Sequence, residues 1–447
     1  MKLNYEPKFE VSDGVYRLSK ERQKLNDYQR MLELQMVHKS PTVSLETIAL
    51  IKKEALSILK KSEKMKEVTG LDAVVLEDIQ SNAQKALAQN EYLFNCKGNV
   101  KFTKFLSTMY GNGAYAEVLK AVQERETSLA IHKYFELMHK INNNQIDEEI
   151  LLNSDKLKEA KKALLGIVES YKKQIERFFG GIAHSFSAED YDVYISPYDF
   201  SFWEEGSRMM SIQTDLIPGT KTKTGRQEKY HFTKSLGLVI AIHEAGHVLQ
   251  DSISKICIPS VSYRVESSNP TFHGMTNEGV SLICEDFAIP WLVRNRRALG
   301  LEDEIALAKV FVKAYLPTRI CDLAYELIDI KEREDHINDK MPEKFKTEAG
   351  KEMTRITGLP LFVKDFHFFS NTSLLETLWF ANYFFGHRRI SNIANKAKKE
   401  FGISMGNEKQ SAILLQGLMT GIWTSHSAKE KFLLEHFLPQ AVRDGVL

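Results

Sequence analysis

Residues 235–252 read SLGLVIAIHEAGHVLQDS, an apolar run whose second half carries two histidines and a glutamate. His243 and His247 are four apart. On an α-helix that spacing is ~400° of rotation and ~6 Å of rise, so both imidazoles leave one face a turn apart and can share one tetrahedral metal ion. Glu244 lies ~100° round from His243. That puts it beside such a metal rather than on it, where a carboxylate can take a proton from an attacking water. The apolar residues ahead of the motif predict a buried helix, and a dry surround strengthens a metal's field on its ligands. By chance, a chain of this length shows H-E-x-x-H in about one protein in a hundred, and less often on a buried helix.

A catalytic metal of this kind takes a third protein ligand and keeps one position open. No third histidine follows closely, because Gln250 and Ile253 stand where the glycine and histidine of a longer histidine motif would fall. The next predicted helix opens with NEGVSLICED, residues 277–286. Glu278, in its first turn, is the candidate third ligand, although the helix dipole favours a carboxylate there in any protein. Glu285 is seven residues on and shares its face; either it or Asp251, four after His247, is the candidate for holding a ligand imidazole from behind.

Helical periodicity extends over most of the chain, and proline is rare at 11 residues. The fold class predicted is mainly α, with helices near 46–65, 153–179, 232–255, 276–298, 303–330, 343–356, 373–400 and 407–420. Within 46–65, Ile48, Ile51, Ala55, Leu56 and Leu59 form the expected core stripe, with lysines opposite. Residues 191–217 differ: short alternating and β-branched runs predict two or three strands, a small sheet just ahead of the motif helix. Two regions are expected, a helical subdomain over 1–150 that does not fold alone and a catalytic region over 151–447.

Composition excludes several classes. Hydrophobic residues are 43% and charged residues 27% of 447, the balance of an ordinary globular protein rather than a disordered chain, a collagen or a coiled-coil rod. Lys plus Arg number 60 against 59 acidic residues, so no overall basic field points to nucleic acid or anionic membrane. Apolar stretches such as 238–242 are far shorter than the ~20 residues of a membrane span. The start, MKLNYEPKFE, has no basic segment followed by an apolar core, so no signal peptide is expected. Four scattered cysteines without a CxxC pair fit free thiols in a reducing compartment, hence a cytoplasmic location. Monomer and homodimer both stay open.

The motifs resemble those of a known clan. HEAGH followed by a helix with Glu278 resembles the gluzincin zinc peptidases, and HEAGHVLQ (243–250) is similar to the HEaGHaLY of the carboxypeptidase Taq family. IPSVSYRVESSNPTFHGMTNEG (258–279) is loosely similar to the LPVS…NPGFHE stretch of angiotensin-converting enzyme. EGVSLICE (278–285) resembles the EGWALYAE motif of a bacterial gluzincin family, and LETLWFANYFFGHRRISNIANKAKKEFG (375–402) resembles that family's PGQATSYKIG…LREKAKKALG. The resemblance covers about residues 190–400. It implies a helical fold similar to neurolysin and the converting enzyme, with a substrate groove over one zinc ion per chain. It also implies peptide hydrolysis with Glu244 as general base and an oxyanion donor from the last third. His367 takes the His role of the converting enzyme's FHxPSSVPYIRY; that pattern's Tyr is Thr377 here, whereas Tyr383 falls on the Tyr of SYKIG. The Asp expected four after the third ligand is Leu282.

The remaining candidates rest on region alone. His273 lines the groove or satisfies its own loop. Tyr383 is an oxyanion donor or part of an aromatic core stripe with Trp379, Phe380 and Phe384. Arg264, Arg388 and Arg319 are the cations available to grip a substrate carboxylate. The strand near 194–196 or 209–214 is available to pair with a substrate backbone. The expected activity is zinc-dependent hydrolysis of short peptides, metallocarboxypeptidase first, oligopeptidase or dipeptidyl carboxypeptidase next. Hydrolysis of a specialised non-peptide amide is a further alternative.

Overall fold

The computed structural model describes residues 5–37, 45–65, 67–94, 101–124, 129, 150–151, 169–180, 182, 191–196, 202–204, 209–213, 231–232, 234–261, 274–299, 324, 355 and 374–447. The protein is mainly helical. From the amino terminus come α1 (Asp13–Val37), α2 (Leu45–Glu63), α3 (Gly70–Phe94), α4 (Phe102–Tyr110) and α5 (Ala114–Gln123). The motif helix is α6 (Lys234–Cys257), followed by α7 (Gly274–Leu299), α8 (Leu374–Phe401) and α9 (Glu408–Met419). Then α10 (His426–Lys431), a π-helical turn (Phe432–Phe437) and α11 (Leu438–Arg443) close the chain. The helices expected at 303–330 and 343–356 lie outside the described residues save for Ala324 and Arg355. No helix among the described residues is long and apolar enough to cross a membrane.

In α2 the buried positions are Thr47, Ile51, Ala55, Ile58 and Ser62, with Ile48 and Leu59 packed at the margin. Leu56 is 49% exposed, against the expected stripe. The core face is centred on Ile51, Ala55 and Ile58, and a residue ~100° round from Ala55 falls outside it.

Strands β2 (Asp192–Ser196), β3 (Phe202–Glu204) and β4 (Met209–Gln213) form a three-stranded sheet, and the two-residue strands β1 (Ile150–Leu151) and β5 (His231–Phe232) pair separately. β4 is central, parallel to β2 with Tyr194 opposite Ser211, and antiparallel to β3 with Trp203 opposite Met210. β3 and β4 lie against α6.

α7 and α8 cross closely because both contribute glycine at the contact. A Cβ on Gly386 would run into the Met275 carbonyl and stand 2.9 Å from the Gly279 nitrogen; one on Gly279 would meet the Gly386 backbone. An adjoining face of α8 is held by α4 and α5. The Tyr110 hydroxyl donates to Asn382 Oδ1 at 3.1 Å, its ring stacks on Phe385 at 4.7 Å, and Glu117 binds Arg389 at 2.7 Å.

The amino-terminal helices are tied to the carboxy-terminal ones through a buried polar cluster. Arg22 of α1 donates to Asp78 Oδ2 of α3 at 2.6 Å, and both side chains are fully buried. Asp78 Oδ1 accepts the backbone N–H groups of Thr424 and Ser425, each at 2.7 Å. Lys85 donates to the Thr424 carbonyl and Lys429 to the Thr420 carbonyl, both at 2.7 Å. Burial drives the Lys85 ammonium down to about 8, against the attraction of Asp78. Burial likewise holds Lys429 well below its ordinary value.

Two outcomes follow from these contacts. Gly386→Ala should destabilise the protein by about 1–3 kcal/mol or more, read from the denaturant midpoint, because the intruding atom meets backbone that cannot turn aside. The folded Lys85 titrates near 8 and the unfolded one near 10.5, so between those values the unfolded chain binds the extra proton and stability rises with pH. The stability difference between wild type and Lys85→Met should therefore move in favour of wild type as pH rises from 8 to 10.5. A flat difference across that window would contradict the shift.

Candidate metal centre

Helix α6 forms where predicted, and its His243, Glu244 and His247 are 5%, 6% and 9% exposed. α7 lies across it and presents Asn277, Glu278, Ser281 and Glu285 on one face. The two helices approach closely at Gly246, where a Cβ would stand 3.2 Å from both Ser281 Oγ and Cys284 Sγ. The small residue between the two histidines is thus what lets the carboxylates of α7 reach them.

The ring nitrogens divide cleanly. His243 Nδ1 lies 2.7 Å from Glu285 Oε1, and His247 Nδ1 lies 3.0 Å from Asn277 Oδ1 and 3.0 Å from Ser281 Oγ. A carboxylate and an amide oxygen only accept, so each Nδ1 carries a proton and each Nε2 is the atom turned toward a metal. Both Nε2 atoms face one oxygen of Glu278, at 3.2 Å from His243 and 3.6 Å from His247. Glu278 is balanced here by positive charge on His243 Nε2–H, the place a metal ion takes when it displaces that proton. His243, His247 and Glu278 can place one ligand atom each within 4.8 Å of one another. Tetrahedral zinc with ligands at ~2.0–2.1 Å separates them by about 3.3 Å, inside the observed range. The donor set therefore fits a divalent metal held by two imidazoles and a carboxylate.

The titration shifts express the same crowding. Burial alone would lower His243, but the hydrogen-bonding carboxylates of Glu278 and Glu285 outweigh it and hold the imidazole well above its usual value. Burial would raise Glu278, yet His247 and His243 bring it down to about 2. Glu244 moves the other way. Burial raises it, against the pull of His243 and His247.

Tyr383 on α8 reaches the site from the other side, its ring centroid 6.2 Å from that of His243. One turn further, His387 Nε2 meets Asp286 at 2.8 Å. Of the two carboxylates read as supporting an imidazole, Glu285 holds His243, whereas Asp251 binds Lys255 at 2.6 Å, one turn along its own helix. Arg388 lies 3.2 Å from Glu117 and over the Phe384 ring, in the α5–α8 contact. His367, His273, Arg264 and Arg319 lie outside the described residues.

The sequence reading missed Asn277 and Ser281. They stand one residue before and three after Glu278, on the face already assigned to ligands. That spacing was visible, but only charged groups were considered as supports for an imidazole, and a neutral oxygen accepts from Nδ1–H equally well.

No protein-family model matches this sequence, and no curated protein matches it. Among solved structures it is similar to a carboxypeptidase from Pyrococcus furiosus, at 12% identity and a TM-score of 0.43, over 98% of this chain and 100% of that one. It is similar also to a lipoprotein candidate from Colwellia psychrerythraea, at 12% identity and a TM-score of 0.42, over 87% of this chain and 66% of that one. Likenesses this distant assign neither fold nor activity, and the site stands on its own geometry.

The metal-free protein should take up one divalent ion per chain. Glu278→Ala should lose it, while Glu285→Gln, which keeps an acceptor but removes its charge, should weaken it ~10–100-fold in a chelator competition. Full metal content in Glu278→Ala would remove Glu278 from the ligand set.

Proposed function

We propose that this protein is a zinc-dependent peptidase of the gluzincin clan acting on short peptides. The observation that supports it is the pairing of a convergent two-imidazole, one-carboxylate donor set with Glu244 on the same helical turn. A binding protein has no use for a buried base at that position. Zinc is the ion that suits this ligand set with an open position, and when bound it polarises a carbonyl and lowers the pKa of water toward ~7.

The chain's own residues do the rest. Glu244 takes the proton of the attacking water and delivers it to the leaving amine. Glu285 fixes the His243 ring and Asn277 with Ser281 fixes His247, so neither imidazole needs to reorganise as charge develops. Tyr383, packed at the His243 ring, is the donor assigned to the developing oxyanion, a role worth about 3 kcal/mol. His367 is the second candidate for that role, and His273 and Arg264 are assigned to substrate binding. A substrate backbone has the outer edge of β2 or β3 as its pairing surface; β4, the 209–214 candidate, is paired on both sides and has no free edge.

The favoured subtype is a metallocarboxypeptidase. Incubation with a mixed pool of short peptides, read by mass spectrometry, should give ladders shortened from the carboxy terminus, and Glu244→Gln should reduce turnover by at least ~100-fold. Internal cuts would make the protein an oligopeptidase. Zinc-loaded protein that leaves every peptide intact would redirect the reading to a specialised amide substrate.

A further inference from the structure

The loop Thr420–Ser425, between α9 and α10, is fixed along its backbone. Gly421 N–H donates to Ser254 Oγ of α6 at 2.8 Å, and Gln250 of α6 donates to the Gly421 carbonyl at 3.4 Å. Ile422 N–H donates to the Val261 carbonyl at 3.0 Å. Thr424 and Ser425 N–H groups end on Asp78 of α3, and Lys85 holds the Thr424 carbonyl. The Trp423 carbonyl between these anchors is consequently a fixed point, and it accepts the hydroxyl of Thr276. Thr276 is 1% exposed and Trp423 fully buried, so neither group has water as an alternative partner.

Thr276 is in the first turn of α7, next to Asn277, whose oxygen holds His247 Nδ1 at 3.0 Å. A threonine within a helix ordinarily returns its hydroxyl to the carbonyl four residues back. Here the hydroxyl reaches across to the loop instead. The bond fixes how far α7 is rotated about its axis at Asn277 and Glu278, and a misplacement of a few tenths of an ångström is felt by a metal ligand.

We propose that Thr276 is a positioning residue for the metal centre. By anchoring the first turn of α7 to the Trp423 carbonyl, it holds Asn277 on His247 and Glu278 between the two imidazoles. The 420–425 loop, and through Asp78 the helix α3, become parts of the same mount. This rests on the metal reading above. A run of contacts is not itself a coupling, so the test reads the metal rather than the contacts.

Metal-free wild type, Thr276→Val and Thr276→Ser are titrated with zinc against a competing chelator, and the visible ligand-field spectrum of each is recorded with cobalt. Thr276→Val keeps the shape and removes the donor. It should bind zinc ~10–100-fold more weakly and alter the cobalt spectrum, while Thr276→Ser, which keeps the hydroxyl, should restore both. Should Thr276→Val fail to fold, Thr276→Ala is read the same way. Zinc affinity and cobalt spectrum unchanged in the valine or alanine variant would overturn the inference, as would a serine variant as weak as the valine. Wild type that takes up no zinc would instead overturn the metal centre itself.

Discussion

Two imidazole Nε2 atoms and a carboxylate face one another across 3.2 and 3.6 Å inside a nearly dry interior, an arrangement tolerable only with positive charge, from a proton or a metal ion, between them. Much of the surrounding construction serves to bring those groups together. Gly246 lets α7 approach α6, and paired glycines let α8 approach α7. Behind each imidazole stands an acceptor that turns the ring so that Nε2 points inward. The two acceptors differ, a carboxylate for His243 and neutral groups for His247. The first ring is therefore the more electron-rich donor of the two.

The region carrying Tyr383 has two supports. One face of α8 rests on α7 through Gly386, and an adjoining face is gripped by Tyr110 on α4 and by Glu117 on α5. Tyr383, whose ring centroid lies 6.2 Å from that of His243, is thereby mounted on a helix held along two adjoining faces. The basic residues following it, Arg388 and Arg389, both serve this clamp through Glu117.

The parts of the site legible in the sequence were those written in local spacing. His243, Glu244 and His247 follow from one turn of helix, and Glu278 with Glu285 from two turns of the next; α6 and α7 begin and end within a few residues of expectation. Leu56 was misplaced because an i, i+1 pair was allowed into one stripe. Asn277 and Ser281 carry no charge to draw notice, although their positions were readable. The Asp78 cluster had no local signature at all, since its partners at 424 and 425 are 346 and 347 residues away. Arg388 could be placed near the site by region, but only the tertiary partner, Glu117, shows what it holds.

That separation of 346 residues has a temporal meaning. During synthesis from the amino terminus, α1, α3 and the whole HEAGH helix emerge long before residues 420–425, the piece that fastens them to one another. Long-range closure of this kind is slow compared with helix formation. Until it happens, Asp78 Oδ1 and Lys85 are without the backbone partners that Thr424 and Ser425 give them in the folded protein. The contact of Thr276 with the Trp423 carbonyl can then be made only after residues 420–425 have docked.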